Sequence, residues 1–388
     1  MNNESQGIRY YLRIAGTVFL LALLLFIFIV MLKPRDEAFV LTTDSGEEET
    51  FAARVTRVLE ESTSAPGSDQ EFPYQQLLLM VETGSLAGQE ISVEAGNLTL
   101  VTKERLYREG DRVYVRRNLG QRGERFYIVD FARTTPIAWF AAAFVIVVLL
   151  VGWGKGLRAL GGMIFSVFVI FAFIIPQILA GKDPISTSII GAVILLAVSN
   201  YLIHGWNWKA HAAMAGMVIS LCLTGVLAWL FIEGSRLTGL GADESTYLAM
   251  ELGSQINLSG ILLGGTIIGA LGVLDDLCVG QASAVFELHE ANNRLDWKQL
   301  FQRSLNIGRD HIAAAVNTLP LAYIGASLPL MLLFAINAEP LWLRINLEPI
   351  AEEIVRALVG SIGLVLAVPI TSLIASLMAH RGIDPLQR

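Results

Sequence analysis

Eight times along this chain the sequence runs for about 20 residues without an acidic or basic carboxylate, ammonium or guanidinium group. The runs are Ile14–Leu32, Thr134–Gly154, Ala159–Gly181, Pro184–Trp208, Ala210–Ile232, Leu252–Leu274, Ile312–Ala338 and Ala357–Ala379; each is bracketed by charge or His, and only Lys182-Asp183 separates the third from the fourth. A helix rises about 1.5 Å per residue, so roughly 20 apolar residues cross the ~30 Å hydrocarbon layer of a bilayer. Charged residues make up only 16% of the 388, where soluble domains carry about a quarter. A polytopic α-helical membrane protein with about eight transmembrane helices is therefore expected, and the lipid bilayer is its principal partner. The first run is too long for a signal-peptide core, and no small-x-small cleavage site precedes Lys33-Pro34-Arg35. Residues 14–32 are expected to stay as an anchor helix.

Orientation follows from Lys and Arg in the short connections. With the N-terminus inside, the inner segments hold eleven: Arg9, Arg13, Lys155, Arg158, Lys209, Arg294, Lys298, Arg303, Arg309, Arg381 and Arg388. The short outer loops hold four: Lys182, Arg236, Arg344 and Arg356. The expected topology puts residues 1–13 and 380–388 in the cytoplasm, 36–133 outside, and 134–379 in a seven-helix transmembrane domain.

Residues 36–133 read differently. An acidic, Ser/Thr/Gly-rich linker, Thr42–Thr50, precedes five strand-like runs: Phe51–Leu59, Gln75–Glu82, Glu90–Val93, Arg112–Arg116 and Arg125–Phe131. Turn signals at Ala65–Asp69, Thr83-Gly84 and Glu109–Asp111 separate them. Five short strands predict a small closed β-barrel of OB-like kind. Such barrels can bind oligonucleotides, but no basic block with interleaved aromatics is visible and the net charge is −7, so no nucleic-acid partner is expected. The two cysteines, Cys222 and Cys278, lie in or beside apolar runs. A disulfide framework or a Cys-based zinc site in the outer domain is excluded, and no cofactor is expected.

Ionisable groups within apolar spans are costly and so are functional candidates. The sixth run leads into Gly264-Gly-Thr-Ile-Ile-Gly-Ala-Leu-Gly-Val-Leu-Asp275-Asp276. Adjacent residues point about 100° apart on a helix. One acid could thus face a cavity while the other pairs or caps; equally, both could sit in the headgroup layer. Gly265, Gly269 and Gly272 fall near one stripe that would permit close helix approach. The seventh span opens with Arg309, Asp310 and His311; Asn317 and Thr318 follow on the Asp310 face, and Pro320 would free a backbone carbonyl there. Residues 282–305 between these spans are expected to form an interfacial amphipathic helix. Glu287, His289 and Glu290 in it lack a diagnostic metal spacing, which leaves any metal site unassigned.

Two stretches carry a resemblance. Gly272-Val-Leu-Asp-Asp276 with Ala284–Leu288, and Asn306-Ile-Gly-Arg-Asp-His-Ile-Ala-Ala-Ala-Val-Asn-Thr-Leu-Pro-Leu-Ala-Tyr-Ile-Gly-Ala-Ser-Leu-Pro329, resemble the signature of the YibE/F family of bacterial multi-span membrane proteins. The resemblance covers most of the chain from about residue 50. It implies an extracytoplasmic domain before the helices and fixes class better than chemistry.

The expected function is transport of an ion or small solute. Asp275 or Asp276 would bind a cation or proton, Asp310, His311, Asn317 and Thr318 would complete the site, and Arg309 would balance charge. The alternatives are a scaffold or assembly factor acting through the outer domain, and an intramembrane hydrolase. For the last, Glu352-Glu353-Ile-Val-Arg356 only superficially resembles the Glu-Glu-x-x-x-Arg motif of membrane prenyl-protein proteases, and no Ser or Cys nucleophile motif is present. An oligomer is compatible with all three.

Overall fold

The computed structural model describes residues 49–64, 72–96, 106–120, 123–253, 256–336 and 339–381. The expected anchor helix, the N-terminal cytoplasmic segment, most of the C-terminal tail and the turn at Ala65–Asp69 lie outside them. The chain divides into two compact units between residues 150 and 151.

In the first unit five strands form one antiparallel sheet: β1 (Glu49–Ser64), β2 (Phe72–Val81), β3 (Glu90–Ala95), β4 (Arg112–Gly120) and β5 (Gly123–Phe131). Their order is β3-β2-β1-β4-β5. Alternation drives the burial. Phe51, Ala53 and Val55 of β1, Leu77, Leu79 and Val81 of β2, Ile91 and Val93 of β3, and Val113 and Val115 of β4 all point into one core. Register shifts at Val55/Arg57 and Val58/Glu60 bend the long β1 strand, as bulges do. The sheet curls without closing: the outer strands β3 and β5 come near one another, but no ladder joins them. The unit is a half-barrel, which corrects the expectation of a closed one.

Inside it Gln75 is buried, donating from Nε2 to Tyr107 O at 3.1 Å and accepting from Tyr107 N at 2.8 Å, which pins the segment before β4. Glu82, at the end of β2, pairs with Arg54 at 2.9 Å and with Arg112. Those partners, Arg112 foremost, hold its carboxyl below the usual range.

The helices are α1 (Thr134–Leu179), α2 (Pro184–His204), α3 (Trp208–Gly234), α4 (Asp243–Leu252), α5 (Leu258–Ala291), α6 (Trp297–Ala326), α7 (Leu328–Ile336), α8 (Leu341–Arg344) and α9 (Glu348–His380). Their starts are written locally. Asp183, Asn207, Asn257 and Asp296 each accept a backbone N–H in the first turn, and Gln299 completes a capping box with Asp296. Among the described residues, five helices, α1, α2, α3, α5 and α9, are long and apolar enough to cross a membrane. The pair α6 and α7, bent by 73°, makes a sixth if taken as one broken span.

Several boundaries differ from expectation. α1 runs for 46 residues, about 69 Å if straight, and holds two of the expected runs; its backbone breaks at Trp153, where φ is 46°. The bend between α6 and α7 falls at Ser327, just before Leu328-Pro329, while Pro320 stays inside α6. Pro329 sits in the first turn of α7, where its missing N–H breaks no helical hydrogen bond. Residues 282–305 are not one interfacial helix. Residues 282–291 extend α5, a turn through Asn292 follows, and α6 starts at Trp297 behind its cap.

The second unit packs around α5, which buries half of its apolar window, more than any other span. α3, α9 and α2 lie against it, and α6 lies against α9 and α5. The expected glycine stripe is not what brings helices together: Gly265 and Gly272 face open space, and Gly269 meets only the Tyr323 hydroxyl. Close approach is made instead by Gly216 of α3, where a Cβ would lie 2.2 Å from Thr371 Oγ1 of α9, and by Gly308 of α6, where it would lie 2.3 Å from Val368.

Candidate functional site

Asp275 and Asp276 fall in the middle of α5, whose caps are Asn257 and Asn292. They do not cap a helix end. Asp275 is half-buried at the edge of the packed side, and its Oδ1 is enclosed with no hydrogen-bond partner among the described residues. Asp276 is exposed and lies within electrostatic range of His204 at the end of α2. The 100° between neighbours thus separates the two acids into different surroundings.

About one and two turns further along α5 lie Cys278 and Gln281, both fully buried. Gln281 Nε2 donates to Ser304 O of α6 at 2.7 Å and to Ser372 Oγ of α9 at 2.7 Å. Ser372 Oγ in turn donates to Val368 O at 2.7 Å. Gly308 leaves the room that the Gln281 amide fills; a Cβ there would sit 3.1 Å from it. Further hydroxyls continue this seam, Thr371 and Ser376 on α9 and Ser220 and Thr224 on α3, all fully buried. Thr224 Oγ1 donates to its own helix at Ser220 O. By contrast Gln281 Oε1, Ser220 Oγ and Ser376 Oγ have no hydrogen-bond partner among the described residues, while Thr371 lies against the Cys278 thiol. Buried polar atoms are nearly always paired, so several unpaired ones within one helix bundle single this seam out.

The other expected site residues sit elsewhere on α6. The packed side of that helix is Leu300, Ser304, Gly308 and Leu319. Asp310 lies two residues on from Gly308, about 200° around the helix. Arg309, Asp310, His311, Asn317 and Thr318 are all exposed. Arg309 binds Asn306 at 3.0 Å, and Thr318 Oγ1 donates to Ala314 O at 3.2 Å. Among the described residues, no hydrogen bond or ion pair joins any of them to Asp275 or Asp276. The contact between α5 and α6 runs through Gln281 and Ser304, which the sequence reading had not singled out. The one available signal was an amide flanked by small and apolar residues, Val279-Gly-Gln281-Ala-Ser-Ala-Val285.

Glu287 and Glu290 face Lys209 of α3, at 2.6 and 4.0 Å, and no group of three or more potential metal ligands occurs among the described residues. At the other end of the unit, the loop after α3 clasps the start of α9. Glu348 accepts from the Thr238 backbone N–H, from Thr238 Oγ1 at 2.8 Å and from Gly239 N at 3.0 Å. Glu352 accepts from Gly241 N at 3.0 Å, and Glu353 pairs with Arg356 at 2.7 Å.

Long apolar helices packed around an enclosed amide-and-hydroxyl seam, with acids in the central helix, define the class: this is a multi-span α-helical membrane protein. Its family follows from the sequence of that same helical part. The chain belongs to the YibE/F family; the profile of YibE/F-like proteins matches residues 140–381. The match leaves the β-sheet unit outside it. No curated protein and no solved structure matches the chain.

Proposed function

We propose that this protein is a transporter of a cation, a proton or a small solute, and that Asp275 is the group in α5 that binds it. The observation that supports this is the carboxylate oxygen of Asp275, enclosed with no hydrogen-bond partner among the described residues, on the same helix as the buried Gln281 amide that meets α6 and α9. Such parts, set between packed helices, are what membrane ion and solute sites are built from. In this reading eight spans cross a bacterial cytoplasmic membrane with both termini inside. The anchor is followed by two spans in α1, then α2, α3, α5, the broken pair α6–α7, and α9.

The test is flux in vesicles reconstituted with the full chain, screened over ions and small solutes. Asp275→Asn keeps the volume and removes the charge, and should abolish flux with expression intact. Asp276→Asn and Asp310→Asn should have smaller effects, since both side chains are exposed. Near-wild-type flux in all three would overturn the site.

A second reading is a scaffold acting through the β-sheet unit. One observation favours it: among the described residues, no strand pairs the outer edges of β3 and β5, and such edges accept partner strands. Wild-type vesicles that move no solute would favour it.

A further inference from the structure

We infer that a cavity between α1, α2 and α5 binds the phosphate-bearing headgroup of an anionic phospholipid. The cavity measures about 530 Å³ and is lined by Lys155, Arg158, Ala159, Ile203, His204, Val279 and Ser283 among others. Lys155 and Arg158 are three apart on α1, so they reach toward the same side. His204 ends α2, and Ser283 of α5 adds a hydroxyl donor. Among the described residues, neither Lys155 nor Arg158 has an acidic partner within ion-pair distance. The nearby Lys209, in contrast, is occupied by Glu287. The opposing charge is Asp276, within electrostatic range of His204; two fixed positive charges against one negative leave the cavity cationic.

A lipid headgroup and free phosphate share this chemistry, and two features favour the lipid. The walls are half apolar, with Ala159, Ile203 and Val279 beside the cations. Trp153, two residues before Lys155, and Trp206, two after His204, are 80% and 79% exposed. Exposed Trp is enriched where lipid meets water, and this places the cavity at headgroup depth. Long basic side chains that reach up from an apolar wall suit a headgroup, and basic pockets between spans recognise anionic lipids.

The experiment uses the full chain in a neutral detergent and follows tryptophan fluorescence. The probes are short-chain phosphatidylglycerol, the matching phosphatidylcholine, and inorganic phosphate. Saturable binding of phosphatidylglycerol alone is expected. Each basic group near an anionic lipid contributes about fivefold in binding, so Lys155→Gln/Arg158→Gln should bind on the order of 20-fold more weakly. Asp276→Asn, which removes the opposing charge, should bind a few-fold more tightly. Equal response to phosphatidylcholine, or an unchanged double variant, overturns the proposal. Saturation by inorganic phosphate overturns the lipid as its source. Should the double variant misfold, Asp276→Asn binding no tighter than wild type overturns it as well. None of these readouts depends on transport.

Discussion

Gln281 shows how one buried side chain can cost stability and still be kept. Its amide makes two hydrogen bonds through Nε2, while its Oε1 is enclosed without a partner. Inter-helix hydrogen bonds in membranes average about 0.6 kcal/mol, and a buried unpaired acceptor costs about 1–3 kcal/mol. The two terms nearly cancel, so Gln281→Leu, which fills similar space, should leave the thermal midpoint of the purified chain within a few degrees of wild type. If the free oxygen faces the transported species, the same variant should lower vesicle flux at least tenfold. A large loss of midpoint with flux per folded molecule unchanged would make Gln281 structural. The acids were legible in the sequence because a charge within an apolar run stands out. Gln281 was not, because an uncharged amide does not interrupt the run, and its partners lie 23 and 91 residues away.

Single elements were legible to the extent that their signal is local. All five strands of the β unit overlap the five strand-like runs of the sequence, and Gly84 and Gly110 turn with φ of 88° and 93° at the expected positions. Closure of the sheet was not legible, since it depends on two edges far apart in sequence. Helix ends after the acids were misplaced for a related reason: charges end an apolar run, but only caps such as Asn292 or Asp296 end a helix. The β unit also carries a pH signature. Glu82 has a folded pKa below its ordinary value of 4.5, so the unfolded chain binds its proton first as pH falls. Its contribution is present above about 4.5 and is lost as pH drops through the lower folded value. Thermal midpoints of a residue 48–133 fragment should therefore fall on acidification from pH 5 to pH 3 by more in wild type than in Glu82→Gln. Equal falls would remove the Arg54–Glu82–Arg112 cluster from the acid response.

At the scale of the whole molecule, the membrane class and the family were legible from run length and from the long motif around α5 and α6. The packing centre was less so, because it rests on notches such as Gly216 against Thr371 that join helices distant in the chain. The resemblance also reached too far forward, since the family profile begins at residue 140. The proposed topology, with the β unit outside and both termini inside, rests on the count of basic residues, and reporter fusions test it. Fusions after Ser64 and after Arg388 should report opposite compartments; matching signals would rule out eight spans.

The clasp of Glu348 and Glu352 on the loop after α3 has a consequence in time. Its partners are separated by 109 to 111 residues. A ribosome adds about 5–20 residues per second, so the amides of Thr238, Gly239 and Gly241 are made on the order of 5–20 s before the carboxylates that they bind. On the proposed topology, the loop after α3 has only water to meet those N–H groups over that interval. A loop at the membrane surface can wait in this way, whereas one buried in lipid could not. The final helix therefore closes a ring opened early in synthesis, and the bundle is complete only once α9 has arrived.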